Sequence, residues 1–331
     1  MNNDFINSTK IVKPPRLCEG DTVGIVSPSW PIVGELRSQF DAGIKTLEEW
    51  GLEVKLGKHA LDRHYYSAGT REARLEDFNA MWNDPEVSMI LMSLGGSTAS
   101  QLLDGIDYEA IRENPKIFCG ISDGTTLLTA IHVRTGLLTY HGPDLVFTFG
   151  LPMSEPIKEN VRKTLFAGDV GRLFPNPYWR HQESPEMRYD GWRCLRHGKA
   201  SGILIGGHIR CLCTTILAGF EPLFDDTILF LEGTDSVALT DRLITTLRLR
   251  DVFDKINGLI LGFFEGASLE EKELDRPIRD MVLEVTREYS FPILEIGELG
   301  HNVENYIFPI GCRATIDADR LYLSIDEKTV L

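Results

Sequence analysis

Positive charge is scarce in this chain. Lys and Arg number 34 against 49 Asp and Glu, giving a net charge of −15, and no basic run interrupts the deficit. Nucleic acid and anionic membrane are therefore not expected as partners, because both are held by clustered cations. Long apolar runs are missing too: nothing approaches the ~20 consecutive apolar residues that span a bilayer. The opening MNNDFINSTKIVKPPR is polar and has no signal-peptide core, so the chain reads as cytoplasmic.

Cysteine is sparse and unpatterned. Cys18, Cys119, Cys194, Cys211, Cys213 and Cys312 form no framework, and the lone C-x-C at Cys211 and Cys213 is too little for zinc. They read as reduced thiols. Neither G-x-G-x-x-G nor G-x-x-x-x-G-K-[ST] occurs, which removes the usual dinucleotide and P-loop signatures. His197 and His208 have no carboxylate or cysteine at tetrahedral spacing beside them. The expectation is no metal and no cofactor.

What the chain does have is alternation. Its 331 residues, 43% of them hydrophobic, suffice for two domains. Strands are expected at Thr22–Ser27, Leu52–Leu56, Val87–Ser93, Ile117–Cys119 and Leu138–Tyr140, with helices at Leu36–Trp50 and Arg71–Trp82 between them. Such alternation gives a parallel sheet covered on both faces, with the site at the carboxyl ends of the strands. Ser27-Pro28-Ser29, Gly95-Gly96-Ser97, Ser122 and His141-Gly142-Pro143 all fall at that edge. After a helix at Glu155–Phe166, a proline-rich stretch with Trp179 and Trp192 shows little periodicity. Alternation then resumes, with strands at Gly202–Ile205, Thr227–Leu231 and Gly258–Leu261, helices at His208–Leu217, Ser236–Arg250 and Asp275–Ser290, and a final hairpin across Ala314–Ile325. The division expected is 16–152, a connector at 153–198, and 199–331. The fold class is α/β: a Rossmann-like or flavodoxin-like parallel-sheet domain carrying the nucleophile, plus a smaller C-terminal α/β domain.

The most informative stretch is KIFCGISDGTTLLTAIHVRT, Lys116 to Thr135. A serine with glycines two residues away on each side, between strand and helix, matches the nucleophile elbow G-x-S-x-G. At the apex of so sharp a turn the backbone is strained, neighbouring side chains would crowd, and the following helix aims free N–H groups at the place where an oxyanion forms. A plain turn has the same five letters. A nucleophilic Ser122 needs a base, and the base an orienting acid. Of eight histidines, His301 in Gly300-His301-Asn302 is best placed, after an apolar strand at Phe291–Ile296. It reads otherwise as an exposed turn histidine. Glu232 closes the apolar run Ile228–Leu231 and reads as the acid or as a cap for a neighbouring helix. Gly95-Gly96 fits an oxyanion loop alongside the N–H of Asp123, a phosphate loop, or a tight turn.

These pieces, in this order, resemble the LD-carboxypeptidases, serine peptidases that trim peptidoglycan peptides, and within them the microcin C self-immunity branch. The resemblance rests on the run from Leu17 to Ser29, Gly95-Gly96, Asp107-Tyr108, Asn114-Pro115-Lys116-Ile117 leading to Gly120-Ile121-Ser122-Asp123, and Tyr140-His141-Gly142-Pro143. It continues through Gly206-Gly207, Ile228 to Glu232, Gly300-His301 and Phe308-Pro309-Ile310-Gly311. It implies a triad of Ser122, His301 and Glu232, and backbone oxyanion donors at Asp123, Gly95 and Gly96. It also implies metal-independent amide hydrolysis through an acyl-enzyme, and a homodimer. The implied substrate is a small peptide or a peptidyl-nucleotide. Trp179, with Trp192 as second choice, is the implied stacking residue for a nucleotide base. The chain departs from the family at Ile121 (usually aromatic), His208 (usually asparagine) and Glu304 (usually proline). His208 opens a helix near the cleft and so bears on substrate choice. The other readings are an α/β-hydrolase-type esterase, from the elbow and the order Ser, Glu, His, and a non-catalytic two-domain protein holding an anion at helix N-termini.

Overall fold

A computed structural model describes residues 10–184, 187, 189, 191–266 and 276–331. Asp275 of the last expected helix and the first nine residues, read above as polar, lie outside them. The first sheet is built from β1 (Thr22–Val26), β2 (Glu53–Leu56), β3 (Val87–Met92), β4 (Ile117–Gly120) and β5 (Thr139–His141), in spatial order β5-β4-β3-β1-β2. All five run parallel. The order 2-1-3-4-5 is that of flavodoxin-like sheets, whose ligands sit beyond the carboxyl ends of the strands. β3 is apolar nearly throughout and almost wholly buried, as a strand covered on both faces must be.

Helices α1 (Leu36–Glu49), α2 (Arg71–Asn83), α3 (Tyr108–Glu113) and α4 (Gly124–Thr135) provide the crossovers. α4 differs from the others: every residue from Gly124 to Ile131 is buried. It lies against β5 on one side and against the second half of the chain on the other. α5 (Glu155–Val161) is shorter than expected, because the backbone widens to a π-helical turn over Arg162–Ala167.

The second sheet has the order β6-β14-β13-β8-β9-β10-β11-β7. Its centre is parallel: β8 (Lys199–His208), β9 (Thr227–Gly233), β10 (Ile256–Phe264) and β11 (Ile293–Glu295). β9 is buried along its full length. Antiparallel strands close the edges: β6 (Gly171–Leu173), β7 (Arg193–Arg196), β13 (Arg313–Asp317) and β14 (Tyr322–Ile325). The half expected to be the smaller thus carries the wider sheet, eight strands against six, because it recruits β6 and β7 as well as the C-terminal hairpin. Its helices are α6 (Ile209–Leu217), α7 (Val237–Leu249) and α8 (Ile278–Val285).

The two halves are tied together by β12 (Phe308–Ile310). This strand leaves the second half to pair antiparallel with β5, placing Phe308 opposite His141. Pro309 is tolerated there because β12 is the sheet's edge. α4 packs on α6 and β8 across the same junction, so the carboxyl ends of β4 and β5 face residues from β8 and β9.

Candidate active site

Ser122 is the apex of the β4–α4 turn, with a positive φ of 60°. A non-glycine residue in that region costs on the order of 1 kcal/mol or more and persists only where its surroundings hold it. Two contacts explain the flanking glycines. A Cβ on Gly120 would stand 2.5 Å from Met92 Sδ, and one on Gly124 2.8 Å from the same atom. The methionine at the end of β3 fills the space that the small residues leave. The turn closes through Gly124 N–H to Ile121 O and Thr125 N–H to Ser122 O, both at 2.9 Å.

Gly95 lies directly against the serine: a Cβ there would meet Ser122 Cβ at 2.5 Å. Gly96 has φ 148° and equally little room, since a Cβ there would collide with Ser29 Oγ. Among the described residues, nothing accepts from the N–H groups of Gly95, Gly96 or Asp123. These are the three donors expected at the oxyanion position.

The Asp123 side chain holds the two segments together. Its Oδ2 accepts from Ser29 Oγ at 2.6 Å and from Ala99 N–H at 2.8 Å, and Ser29 Oγ in turn accepts from Thr98 N–H at 2.9 Å. Buried Arg74 lies beneath and donates to Pro28 O at 2.6 Å and Thr98 O at 3.1 Å. The sequence placed Ser27-Pro28-Ser29 at this edge but carried no sign of the clamp. Its components are 24 to 94 residues apart.

His301 and Glu232 meet as expected. His301 Nδ1 lies 2.7 Å from Glu232 Oε2, and Nε2 of the same ring has no hydrogen-bond partner. The exposed-turn alternative for His301 is therefore excluded, as is the helix-cap alternative for Glu232, which ends β9 fully buried. Burial would push that carboxyl up, yet the facing imidazoles, His301 foremost, outweigh it and hold it at about 2. Burial likewise opposes charge on His301, and Glu232 reverses the effect, so the His301 pKa is raised from 6.5.

His208 stands beside this pair, its ring centroid 5.2 Å from that of His301. Its backbone N–H donates to Thr125 Oγ1 at 3.0 Å, and its Nε2 lies 3.3 Å from Thr234 Oγ1. Burial pushes its pKa down to about 4, so the ring is neutral at physiological pH. The first turn of α4, just past Ser122, is thus in contact with the group that flanks His301.

Trp179 is half-buried. Its N–H donates to Gly297 O at 2.7 Å, and its ring packs against Tyr189 at 5.2 Å and Phe263 at 5.7 Å. Trp192 is buried, its N–H on Glu298 Oε2 at 2.6 Å. Glu298 also accepts from Asn176 N–H at 2.6 Å. Glu304, where the family usually has proline, accepts from Ser154 N–H at 2.6 Å and Asn176 Nδ2 at 3.3 Å. That departure tethers the aromatic connector to the loop following His301.

The reading of His197 needs one correction. It does have a cysteine and a carboxylate beside it, though not His208: Cys194 Sγ lies 3.7 Å from its Nδ1, and Asp319 Oδ1 is 2.5 Å away. Asp319 comes from the distant hairpin, which linear spacing could not show. Among the described residues this is the only such trio, and it sits by the edge strand β7.

Comparison with known proteins decides the family. Residues 23–142 match the LD-carboxypeptidase N-terminal domain and residues 201–316 the LD-carboxypeptidase C-terminal domain. The chain belongs to the LD-carboxypeptidase family. It is 33% identical to the probable murein peptide carboxypeptidase of Bacillus subtilis strain 168, covering 92% of this chain and 91% of that one. It is 30% identical to the microcin C7 self-immunity protein MccF of Escherichia coli, covering 98% of each. The solved structure of MccF in complex with aspartyl sulfamoyl adenosine superposes with a TM-score of 0.89 at 29% identity, over 97% of this chain and 100% of that one. This LD-carboxypeptidase family member is accordingly an enzyme of the serine carboxypeptidase and amidase class, and the esterase and non-catalytic readings give way.

Proposed function

We propose that the chain hydrolyses an amide bond through an acyl-enzyme on Ser122, with His301 as general base and acid and Glu232 as its orienting carboxylate. The observation that carries the reading is the 2.7 Å hydrogen bond from His301 Nδ1 to Glu232, which leaves Nε2 as the ring's only free basic atom. Nε2 takes the Ser122 hydroxyl proton as Oγ attacks the carbonyl carbon. The oxyanion collects hydrogen bonds from the N–H groups of Asp123 and the Gly95-Gly96 loop. Nε2–H then protonates the leaving amine as the C–N bond breaks. A water molecule repeats the sequence and releases the acid, restoring Ser122.

For the substrate, two neighbours bear on the choice. The relative from Bacillus subtilis is named for murein peptides, and MccF is seen with an aminoacyl-sulfamoyl nucleoside. The half-buried Trp179 ring, packed with Tyr189 and Phe263, is taken as the platform for a flat group, so an aminoacyl- or peptidyl-nucleotide amide is the substrate we favour. Trp179 is assigned the stacking role and Trp192 a packing role. His208, one of the three departures from the family pattern and a neighbour of His301, is assigned a part in substrate choice. No helix of the described residues is long and apolar enough to cross a membrane. All six cysteines are free, which supports a reducing, cytoplasmic setting, and the enzyme is taken to work as a homodimer.

Turnover measured in parallel on an LD-linked muropeptide, an aminoacyl-sulfamoyl adenosine and a simple ester tests the reading. Amide hydrolysis with preference for the nucleotide supports it. Cleavage of the ester alone overturns the amidase assignment, and exclusive cleavage of the muropeptide overturns the substrate choice.

A further inference from the structure

His141 ends β5 with its side chain fully buried, and nothing in the chemistry above uses it. Its Nε2 faces Glu232 Oε1 at 3.8 Å. Both atoms are buried, and neither has a hydrogen-bond partner. Two orphaned polar atoms facing each other in an otherwise paired interior are costly unless a proton joins them. The other side of the ring indicates which tautomer is present. His141 Nδ1 lies 3.5 Å from Thr125 Oγ1, and that oxygen already accepts the His208 N–H. The threonine's own proton is then free to point at Nδ1, which leaves the ring proton on Nε2, aimed at Glu232. Gly207, at φ 132°, makes room for this contact: a Cβ there would fall 2.6 Å from Thr125 Oγ1 and 3.2 Å from His141 Nδ1.

We infer that His141 is a positioning residue that donates Nε2–H to the outer oxygen of Glu232, with Thr125 fixing its tautomer. The inference rests on the reading of Ser122, His301 and Glu232 as the triad. The carboxylate is then held from both sides, by the 2.7 Å hydrogen bond from His301 on Oε2 and by the longer 3.8 Å approach of His141 on Oε1, which disfavours its rotation away from the base. The chain of donors runs from His208 N–H through Thr125 and His141 to Glu232, where it ends on the carboxylate that His301 meets from the other side. The first turn after the nucleophile thereby sets the orientation of the acid on the other half of the molecule. Burial keeps His141 neutral, its pKa pushed down to about 4, so it serves as a dipolar donor and adds no cation.

Losing the donor leaves more negative charge on Oε2 and holds the His301 proton more tightly. The acidic limb of kcat/KM should therefore move to higher pH. The groups facing His301 are Glu232, Glu265, Asp144, His208 and His141; the His141 variants alter only the contact from His141 to Glu232, whereas Thr125→Val also removes the acceptor of the His208 N–H.

The experiment compares His141→Phe, His141→Gln and Thr125→Val with the unaltered enzyme and Ser122→Ala, reading kcat, KM, the pH profile and the melting temperature. Imidazole 15N NMR of the unaltered enzyme reads the tautomer. The expected result is an Nε2-protonated His141, a kcat lowered about 100-fold in His141→Phe with KM nearly unchanged, and a limb raised by about half a pH unit. Gln, which can still donate an amide N–H, should recover about tenfold of that loss, and Thr125→Val should lose about tenfold with the same shift of the limb. An Nδ1-protonated ring overturns the inference. So does a set of variants that lose melting temperature while keeping kcat and the limb, and should His141→Phe fail to fold, the ring tautomer and His141→Gln decide. Turnover surviving in Ser122→Ala would instead overturn the triad, a result distinguishable from failure of the His141 role.

Discussion

The turn around Ser122 is held by steric fit, while the pocket around His301 is held by charge. In the first, Met92 fills the space beside Gly120 and Gly124, and Gly95 lies against the serine. In the second, a fully buried carboxylate faces three imidazoles, and two further carboxylates, Glu298 and Glu304, tether the neighbouring connector. The contrast matches what each side must do. A nucleophile has to be in one place, and close packing defines a place. A base has to change charge during the reaction, and only polar neighbours respond to charge. The two sides meet at Thr125, whose Oγ1 accepts from the His208 N–H.

The largest effect should come from removing either half of that contrast. Ser122→Ala and His301→Ala should each lower kcat by about 10⁴-fold or more, with losses that do not add in the double variant. Melting temperatures should hold for Ser122→Ala, because only one hydroxyl leaves a loop apex. A His301 variant with undiminished kcat would remove it as the base.

Glu232→Gln should come next, lowering kcat by about 10²–10⁴-fold. Its pH dependence sharpens the charge side. With Glu232 ionised, the His301 pKa is raised above 6.5, so the acidic limb of kcat/KM lies above that value. Without the carboxylate, burial is opposed only by the smaller effects of Glu265 and Asp144, and the limb should drop. Stability follows the same linkage. The Glu232 pKa is depressed from 4.5 to about 2, so its contribution is present above 4.5 and is lost as pH falls towards 2. Acid unfolding of Glu232→Gln should lack that component, as urea midpoints between pH 5 and pH 2 would show.

Asp123→Asn probes the side of the nucleophile. The amide keeps the shape, but it cannot accept at full strength from both Ser29 Oγ and Ala99 N–H. A fall in kcat of about 10- to 100-fold with KM little changed is expected, because the oxyanion donors drift apart. A change in KM alone would place Asp123 in substrate binding.

Much of this contrast can be read in the sequence, but not evenly. The elbow is contiguous, so Gly120 to Gly124 announced themselves, as did the alternation that builds the five parallel strands. Glu232 and His301 were legible as strand-end and loop residues; their distance of 69 positions was bridged by resemblance and not by spacing. The short strands Gly171–Leu173, Arg193–Arg196 and Phe308–Ile310 were missed, being three or four residues long, and one of them containing proline. Their identity comes from the sheet they join. The Asp123 clamp and the Glu298 and Glu304 tethers were equally hidden, since an acidic residue looks the same in sequence whether solvated or buried.

The smallest effect expected is at Trp179. Stacking on a nucleobase is worth about 1–3 kcal/mol, so Trp179→Ala should raise KM for an aminoacyl-nucleotide amide by about 10- to 100-fold and leave an LD-dipeptide nearly unaffected. Equal losses on both substrates, with a drop in melting temperature, would assign the ring to packing against Tyr189 and Phe263.

The central claim is that Ser122 is the nucleophile and His301 its base. Intact-mass analysis after treatment with a fluorophosphonate tests it most directly. The account predicts one adduct per chain, mapped to Ser122, absent in Ser122→Ala and greatly slowed in His301→Ala. An adduct on another residue, or full turnover in an enzyme labelled at Ser122, would contradict it.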